Sequence, residues 1–315
     1  MLQIGIMIEG QNGLNWDRWK RVLQTAEDSG YQFVFRSDHF TNAQPPDKDS
    51  LELWVSLTYA ASHTKRIEFG SMVTPTTFRH PAMTVRMGAA VDDLSGGRLT
   101  LGLGAGWQER EHQIFGVPFY DFPTRYNMLE DALEITSRLM LSDGPVSYNG
   151  EHFQLDNAIL LPRPTRPGGP PILIGGNSRK RILPLVAKYA EEWNALFINR
   201  ANWRALNTQL DALIKDNGRE PNEVKRSMMT GTMFAKDDAE LDAKLKQRSE
   251  QAGREITRDT LAERGLLYGT TKDFIDQLGA LEEAGLERIM LQWIDLDDMD
   301  GLETLAKDVL PHFHK

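Results

Sequence analysis

Asp38 and His39 stand side by side in the run Ser37-Asp38-His39-Phe40 and put a carboxylate next to an imidazole. At the exit of a strand such a pair can polarise a carbonyl or pass a proton to a reduced ring system. The alternative is that Asp38 caps a turn and His39 is a buried polar residue with its hydrogen bonds satisfied. A second run, Ser71-Met72-Val73-Thr74-Pro75, places small and hydroxyl residues ahead of a proline that forces extended backbone. It can present N–H groups and side-chain oxygens to a ligand, or be an ordinary strand end. In a third run, Leu101 to Trp107, glycine alternates at 102, 104 and 106. On a strand these share one face, which suggests close approach of a ligand or of another backbone. It is not the dinucleotide-binding motif, whose third glycine would fall at Trp107. Finally, Gly175-Gly176-Asn177-Ser178 precedes Arg179-Lys180-Arg181. Two glycines, two capping side chains and a positive helix start make a phosphate site; otherwise Asn177 or Ser178 is only an N-cap and the cations face water.

These runs sit where short apolar stretches end. The apolar runs Ile4–Ile8, Phe33–Arg36, Arg66–Val73, Leu99–Ala105, Pro171–Ile174, Trp193–Phe197, Val224–Phe234 and Arg288–Trp293 read as strands. Amphipathic stretches follow them: Trp16–Asp28, 51–61, Pro81–Leu94, Thr124–Leu141, Arg179–Ala190, 202–216, Asp238–Ala252, Thr271–Ala284 and 302–310. Trp107 to Phe122 reads as an irregular aromatic segment. The exception to the alternation is about 145–161, where Asn149-Gly150 lies between apolar runs and predicts a β-hairpin inserted outside a parallel core. Eight strand-then-helix units predict a (β/α)₈ TIM barrel with insertions at the strand C-terminal ends, an open doubly wound sheet being the alternative. Without a linker-like stretch, residues 1–315 read as a single domain.

Composition narrows the partners. A net charge of −9 disfavours nucleic acid and anionic membrane surfaces. No apolar run reaches the roughly 20 residues of a bilayer span. The N-terminus lacks the pattern of a signal peptide, so the expected address is cytoplasmic. The absence of cysteine excludes thiolate catalysis, disulfides, iron–sulfur clusters and cysteine-zinc sites. No metal site is expected either: the one His-x-His pair, His312 and His314, lies in the C-terminal tail, which ranks a metal-dependent barrel hydrolase low.

The whole set resembles the luciferase-like monooxygenase superfamily, and within it the branch that commonly uses the deazaflavin coenzyme F420. The resemblance runs through nearly the entire chain. It rests on Ser37–Phe40, on Thr74 to Pro81, and on Asp92-Asp93-Leu94-Ser95-Gly96-Gly97-Arg98. It continues through Leu101 to Trp107, Glu109-Arg110-Glu111-His112, Ile174-Gly175-Gly176, Glu192-Trp193-Asn194 and Arg288 to Gln292. It implies a barrel with a flavin-like ring in its mouth. It also implies ring contacts from Asp38, His39 and Thr74, with His39 as the catalytic acid/base. Ser71 and Met72 are expected to form a bulge behind the ring, joined by a cis peptide. Ala105 and Gly106 are expected along the cofactor tail, and Gly175, Gly176, Asn177 and Ser178 at its phosphate, with help from Arg179, Lys180 or Arg181. Relatives that oxidise sugar phosphates carry an acid where this chain has Trp107, and a close branch has Asn where it has Gln108, so sugar-phosphate oxidation is not expected.

Three functions follow from the resemblance. The first is hydride transfer between F420 and a small-molecule organic substrate. The second is an FMN-dependent monooxygenase that takes reduced flavin from a partner reductase. The third is a catalytically silent flavin-binding protein. A homodimer is the assembly the resemblance implies.

Overall fold

The structure is a computed structural model that describes residues 1–314. Eight strands, β1 (Gln3–Ile8), β2 (Phe33–Arg36), β3 (Glu68–Ser71), β4 (Leu99–Gly104), β5 (Ile172–Gly175), β6 (Glu192–Leu196), β7 (Lys225–Phe234) and β8 (Arg288–Gln292), pair in parallel, each with the next. Pairing of β8 with β1, Gln3 opposite Arg288, closes the ring. That closure rejects the open sheet. The main surrounding helices are α1 (Trp16–Asp28), α2 (Leu53–His63), α3 (Pro81–Ser95), α4 (Phe122–Leu141), α5 (Ile182–Tyr189), α6 (Arg200–Asp216), α7 (Thr271–Glu282) and α8 (Met299–Val309). No helix among the described residues is long and apolar enough to cross a membrane.

The expected hairpin is present as Val146–Asn149 paired antiparallel with Gln154–Ala158, apart from the barrel sheet. The stretch between β7 and α7 holds more than the one helix expected there. After Asp238–Ala252 come a short helix, Arg258–Glu263, and a strand, Leu267–Gly269, that pairs with the C-terminal half of β7. The aromatic segment after β4 is not wholly irregular: Glu109–Phe115 is a helix, stopped by Gly116 in the left-handed region.

Two apolar layers hold the barrel. The larger lies between strands and helices, with Ile4, Trp19, Leu101, Leu133 and Trp193 among its fully buried members. The smaller fills the barrel interior with Met7, Phe33, Phe35, Met72, Leu173, Met229 and Met290. Below it, at the amino ends of the strands, Arg288 is buried with its guanidinium 4.6 Å from the Phe33 ring centroid. It pairs with Glu192 at 3.1 Å and with Glu68. Removing one partner of such a buried pair costs about 3–5 kcal/mol, because the other charge is stranded.

On the same side, Arg98 joins three pieces of chain. Its guanidinium donates to the carbonyls of Ala61, Thr64, Ile67 and Ser95 and to Thr64 Oγ1. This ties the end of α2, the approach to β3 and the end of α3 together. The Leu-Ser-Gly-Gly-Arg run is thus a structural clamp at the barrel floor.

The fourth-strand glycines are explained by close approach of the β3 exit, its backbone at Gly102 and the Val73 side chain at Gly104. A Cβ at Gly102 would lie 2.0 Å from the Ser71 carbonyl oxygen. Gly106 lies beyond the strand with φ at 75°, so it does not share the face of Gly102 and Gly104 as strict alternation predicts.

Candidate active site

At the carboxyl ends of the strands a cavity of about 400 Å³ opens, within the range of small-molecule sites. Among the residues expected to act, it brings together His39, Met72, Ala105, Gly106, Gly175 and Gly176. Asp38, Ser71, Thr74, Asn177 and Ser178 do not line it.

His39 leaves β2 with its ring on the cavity. Its Nδ1 is 2.8 Å from Glu111 Oε1, and the other oxygen of Glu111 accepts the Phe40 amide at 2.9 Å. Glu111 is 1% exposed, so little water competes for this pair. Burial disfavours the imidazolium, but the hydrogen-bonded Glu111 carboxylate, with Glu9 and Asp38 further off, outweighs it and raises the His39 pKa above its ordinary value. With Nδ1 donating to Glu111, Nε2 is left for a ligand.

Glu111 sits on the Glu109–Phe115 helix, which is docked on the exits of β2 and β3. Gln108 Nε2 donates to the Thr41 carbonyl at 2.9 Å, Arg110 pairs with Asp47, and His112 Nε2 meets Thr77 Oγ1 at 2.8 Å. Within Glu109–His112 the local pattern gives Glu111 no role. Its one signal is an acid a helical turn past the fourth-strand exit.

Asp38 is buried and serves as a tether. Its Oδ2 accepts from Arg79 Nη1 at 2.6 Å, and Arg79 also holds Glu52. Burial raises the Asp38 pKa, partly offset by Arg79. Beside His39 a second polar group faces the cavity. Ser37 Oγ donates to Gln11 Oε1 at 2.8 Å, and the side-chain amides of Gln11 and Gln292 donate to the two oxygens of Glu9. Glu9, Gln11 and Ser37 were not singled out in the sequence.

The non-proline cis peptide joins Met72 to Val73, one residue later than expected. Ser71 cannot leave the sheet. It is the last residue of β3, opposite Arg36, and the Met72 amide still donates to the Arg36 carbonyl. Ser71 Oγ is bonded to both the amide and the carbonyl of Gly102, so it offers nothing to a ligand. Met72 and Val73 form the cavity wall instead. Thr74 is buried, with no partner for its hydroxyl.

At the other end of the cavity, Gly175 and Gly176 form a wall free of side chains, Gly176 with φ at 132°. The Gly176 amide already donates to the Asn194 carbonyl at 2.9 Å, and the Gly175 amide lies in the ladder with β4, where Ile174 pairs with Leu103, so the two glycines offer a bare backbone surface and not free amides. Asn177 is also committed. Its side-chain amide bonds both the N–H and the C=O of Leu196, splicing the exit of β5 to β6. Ser178 accepts the amides of Ile182 and Leu183 on its carbonyl. The helix therefore starts at Ile182 and leaves Arg179, Lys180 and Arg181 in an exposed turn, because Ser178 satisfies the first-turn donors.

Two aromatic side chains complete the mouth. Trp107 is 63% exposed and stands edge-on to His39, ring centroids 5.5 Å apart. Phe197 is held at φ 47° at the end of β6, a left-handed conformation that costs a bulky residue about 1–3 kcal/mol.

A closed parallel barrel with a ring-sized cavity at the carboxyl ends of its strands, an imidazole–carboxylate pair on its wall and a glycine-lined far end defines a TIM-barrel enzyme. The chain belongs to the luciferase-like monooxygenase family, whose model matches residues 2–291. It is 30% identical over 193 residues to an F420-dependent hydroxymycolic acid dehydrogenase of Mycobacterium tuberculosis. That match covers 61% of this chain and about half, 52%, of that protein. It is 26% identical to an F420-dependent glucose-6-phosphate dehydrogenase of Amycolatopsis mediterranei, with 91% of each chain covered. A solved structure of an F420-dependent secondary alcohol dehydrogenase with an F420-acetone adduct superposes with a TM-score of 0.84 at 20% identity, covering 98% of this chain and 99% of that one.

Proposed function

We propose that this chain is an F420-dependent oxidoreductase that moves a hydride between the deazaflavin and a small organic substrate. The observation that carries the proposal is the His39–Glu111 pair on the wall of the cavity. The cavity fits a flat ring with a tail. Met72 and Val73 back one end, while Gly104, Ala105, Gly106, Gly175 and Gly176 leave a channel that side chains would fill. When bound, F420 supplies or accepts the hydride at a ring carbon. The chain's part is to position, to shield and to move one proton. His39 Nε2 gives a proton to a substrate oxygen during reduction and takes one during oxidation, while Glu111 fixes the ring and steadies its charge. The Glu9–Gln11–Ser37 network holds polar edges of the ring or substrate.

Titration of the protein with F420 and with FMN tests this directly. F420 is expected to bind the more tightly, and its affinity to fall with salt. Replacing Arg179, Lys180 and Arg181 together by alanine should flatten that salt dependence and weaken binding by roughly tenfold, since exposed charges contribute at most about 1 kcal/mol each. Tighter binding of FMN would favour the monooxygenase reading with its partner reductase. Binding without turnover on any substrate would favour the silent one.

We also propose a homodimer through α2 and α3. On α3, Met83, Met87, Ala90 and Leu94 recur at helical spacing along one face, and Val55 of α2 lies exposed on the neighbouring helix. Sedimentation should give twice the chain mass, and Met83→Asp should give the monomer. A monomeric wild type would exclude this pairing.

A further inference from the structure

We infer that the substrate of this site is a neutral, largely apolar molecule with a single oxygen function, its carbon body held at the cavity rim by Trp107 and Phe197. The inference rests on the hydride-transfer reading and narrows its substrate. Met7, Val73, Pro75, Leu196 and Met229 make most of the wall apolar. The ionisable side chains on it are Glu9, His39 and Tyr126, and among the described residues no lysine or arginine lines it. A substrate carboxylate or phosphate brought inside would exchange its hydration for a site that offers an acid and no arginine or lysine, which is a costly transfer. A single carbonyl or hydroxyl oxygen suits the one free imidazole nitrogen.

The rim points the same way. Trp107 occupies the first position after the β4 glycines and keeps most of its surface in water although it touches His39 edge-on. Phe197 is 37% exposed and is kept in a backbone conformation unfavourable to its ring, its amide donating to the Met229 carbonyl. Strain of this kind persists where the surroundings impose it, and at a cavity mouth it suggests a ring placed for contact with a ligand. Behind Tyr126, Phe122 extends the apolar rim, ring centroids 4.6 Å apart. An exposed aromatic rim around a site without lysine or arginine selects by apolar area.

Calorimetry without turnover tests this, on the apoprotein and on protein loaded with oxidised F420. The probes are cyclohexanone, 4-methylcyclohexanone and 4-tert-butylcyclohexanone, set against cyclohexanecarboxylate and glucose 6-phosphate. Ketone affinity should rise about fourfold for each added buried methylene equivalent, and both anions should bind roughly tenfold more weakly than the methyl ketone. Trp107→Ala should weaken the bulkiest ketone by roughly tenfold, and by a larger factor than it weakens F420. Phe197→Gly, which suits the left-handed backbone, should lose ketone affinity without losing thermal stability. Anions that bind as well as the ketones, or an unchanged ketone series in Trp107→Ala, would overturn the inference. A protein that binds neither F420 nor FMN yet keeps the ketone series would overturn hydride transfer while supporting the apolar site. One that binds F420 and prefers glucose 6-phosphate would overturn the apolar site alone.

Discussion

His39→Ala is expected to lower turnover by about 10²–10⁴-fold, the usual contribution of a positioned general acid or base, while the F420 dissociation constant changes about threefold or less. The difference follows from geometry. His39 presents Nε2 to the cavity but supplies only a small part of its wall, so its loss removes the proton route and leaves the channel along Gly104–Gly106 and Gly175–Gly176 intact. His39→Gln separates proton transfer from placement, because an amide can still donate to Glu111 but cannot exchange a proton at the substrate. Steady-state rates of both variants, with bound cofactor measured in parallel, decide the matter. Near-normal turnover in His39→Gln would remove His39 from the proton route and leave it a packing role.

For Glu111→Gln the expected change is in pH dependence as well as in rate. The carboxylate holds the His39 pKa up, so its replacement by a neutral amide lowers that pKa. In the reduction direction the active form is the imidazolium. Turnover falls as pH rises through the His39 pKa, and in the variant this fall should begin at lower pH. In the oxidation direction the active form is neutral, and the rise with pH should begin earlier. The stability effect has a matching sign. A raised folded-state pKa gives stabilisation that is complete below the ordinary imidazole value of about 6.5 and is lost as pH rises through the higher folded value. Both partners are buried, so the lost charge-assisted hydrogen bond is worth about 1.5–3 kcal/mol, and the difference in urea midpoint between wild type and variant should shrink towards alkaline pH. Identical pH profiles for the two proteins would exclude a tuning role for Glu111.

The elements that carry strong periodicity were legible in the sequence. Trp16–Asp28 and Phe33–Arg36 have the bounds that their apolar spacing and flanking glycine imply, and the eight repeats imply closure of the barrel. What the sequence hides are pairings across long separations. Glu111 and His39 are 72 residues apart, and no local pattern joins them. The helix that carries Glu111 spans seven residues, too short for amphipathic periodicity to stand out. Asn177 has the look of a cap or a phosphate ligand, but its side chain imitates a neighbouring strand for Leu196, which only the folded ring reveals. The position of the bulge after β3 was missed by one residue because it depends on how far Arg36 pairs, a property of β2 and not of the run around Ser71.

The two ends of the barrel carry different kinds of information. Arg98 grips three carbonyls from one neighbouring stretch and one from another, a task of holding the barrel that is separate from whatever the mouth catalyses. His39, Glu111, Trp107 and Phe197 stand on exits and excursions that the clamp does not touch. A descendant could therefore exchange every side chain at the mouth, change its reaction or lose it, and still be recognised by its floor. Kinship among such barrels is written at one end and occupation at the other, so a gene sorted by the first still has to be read at the second.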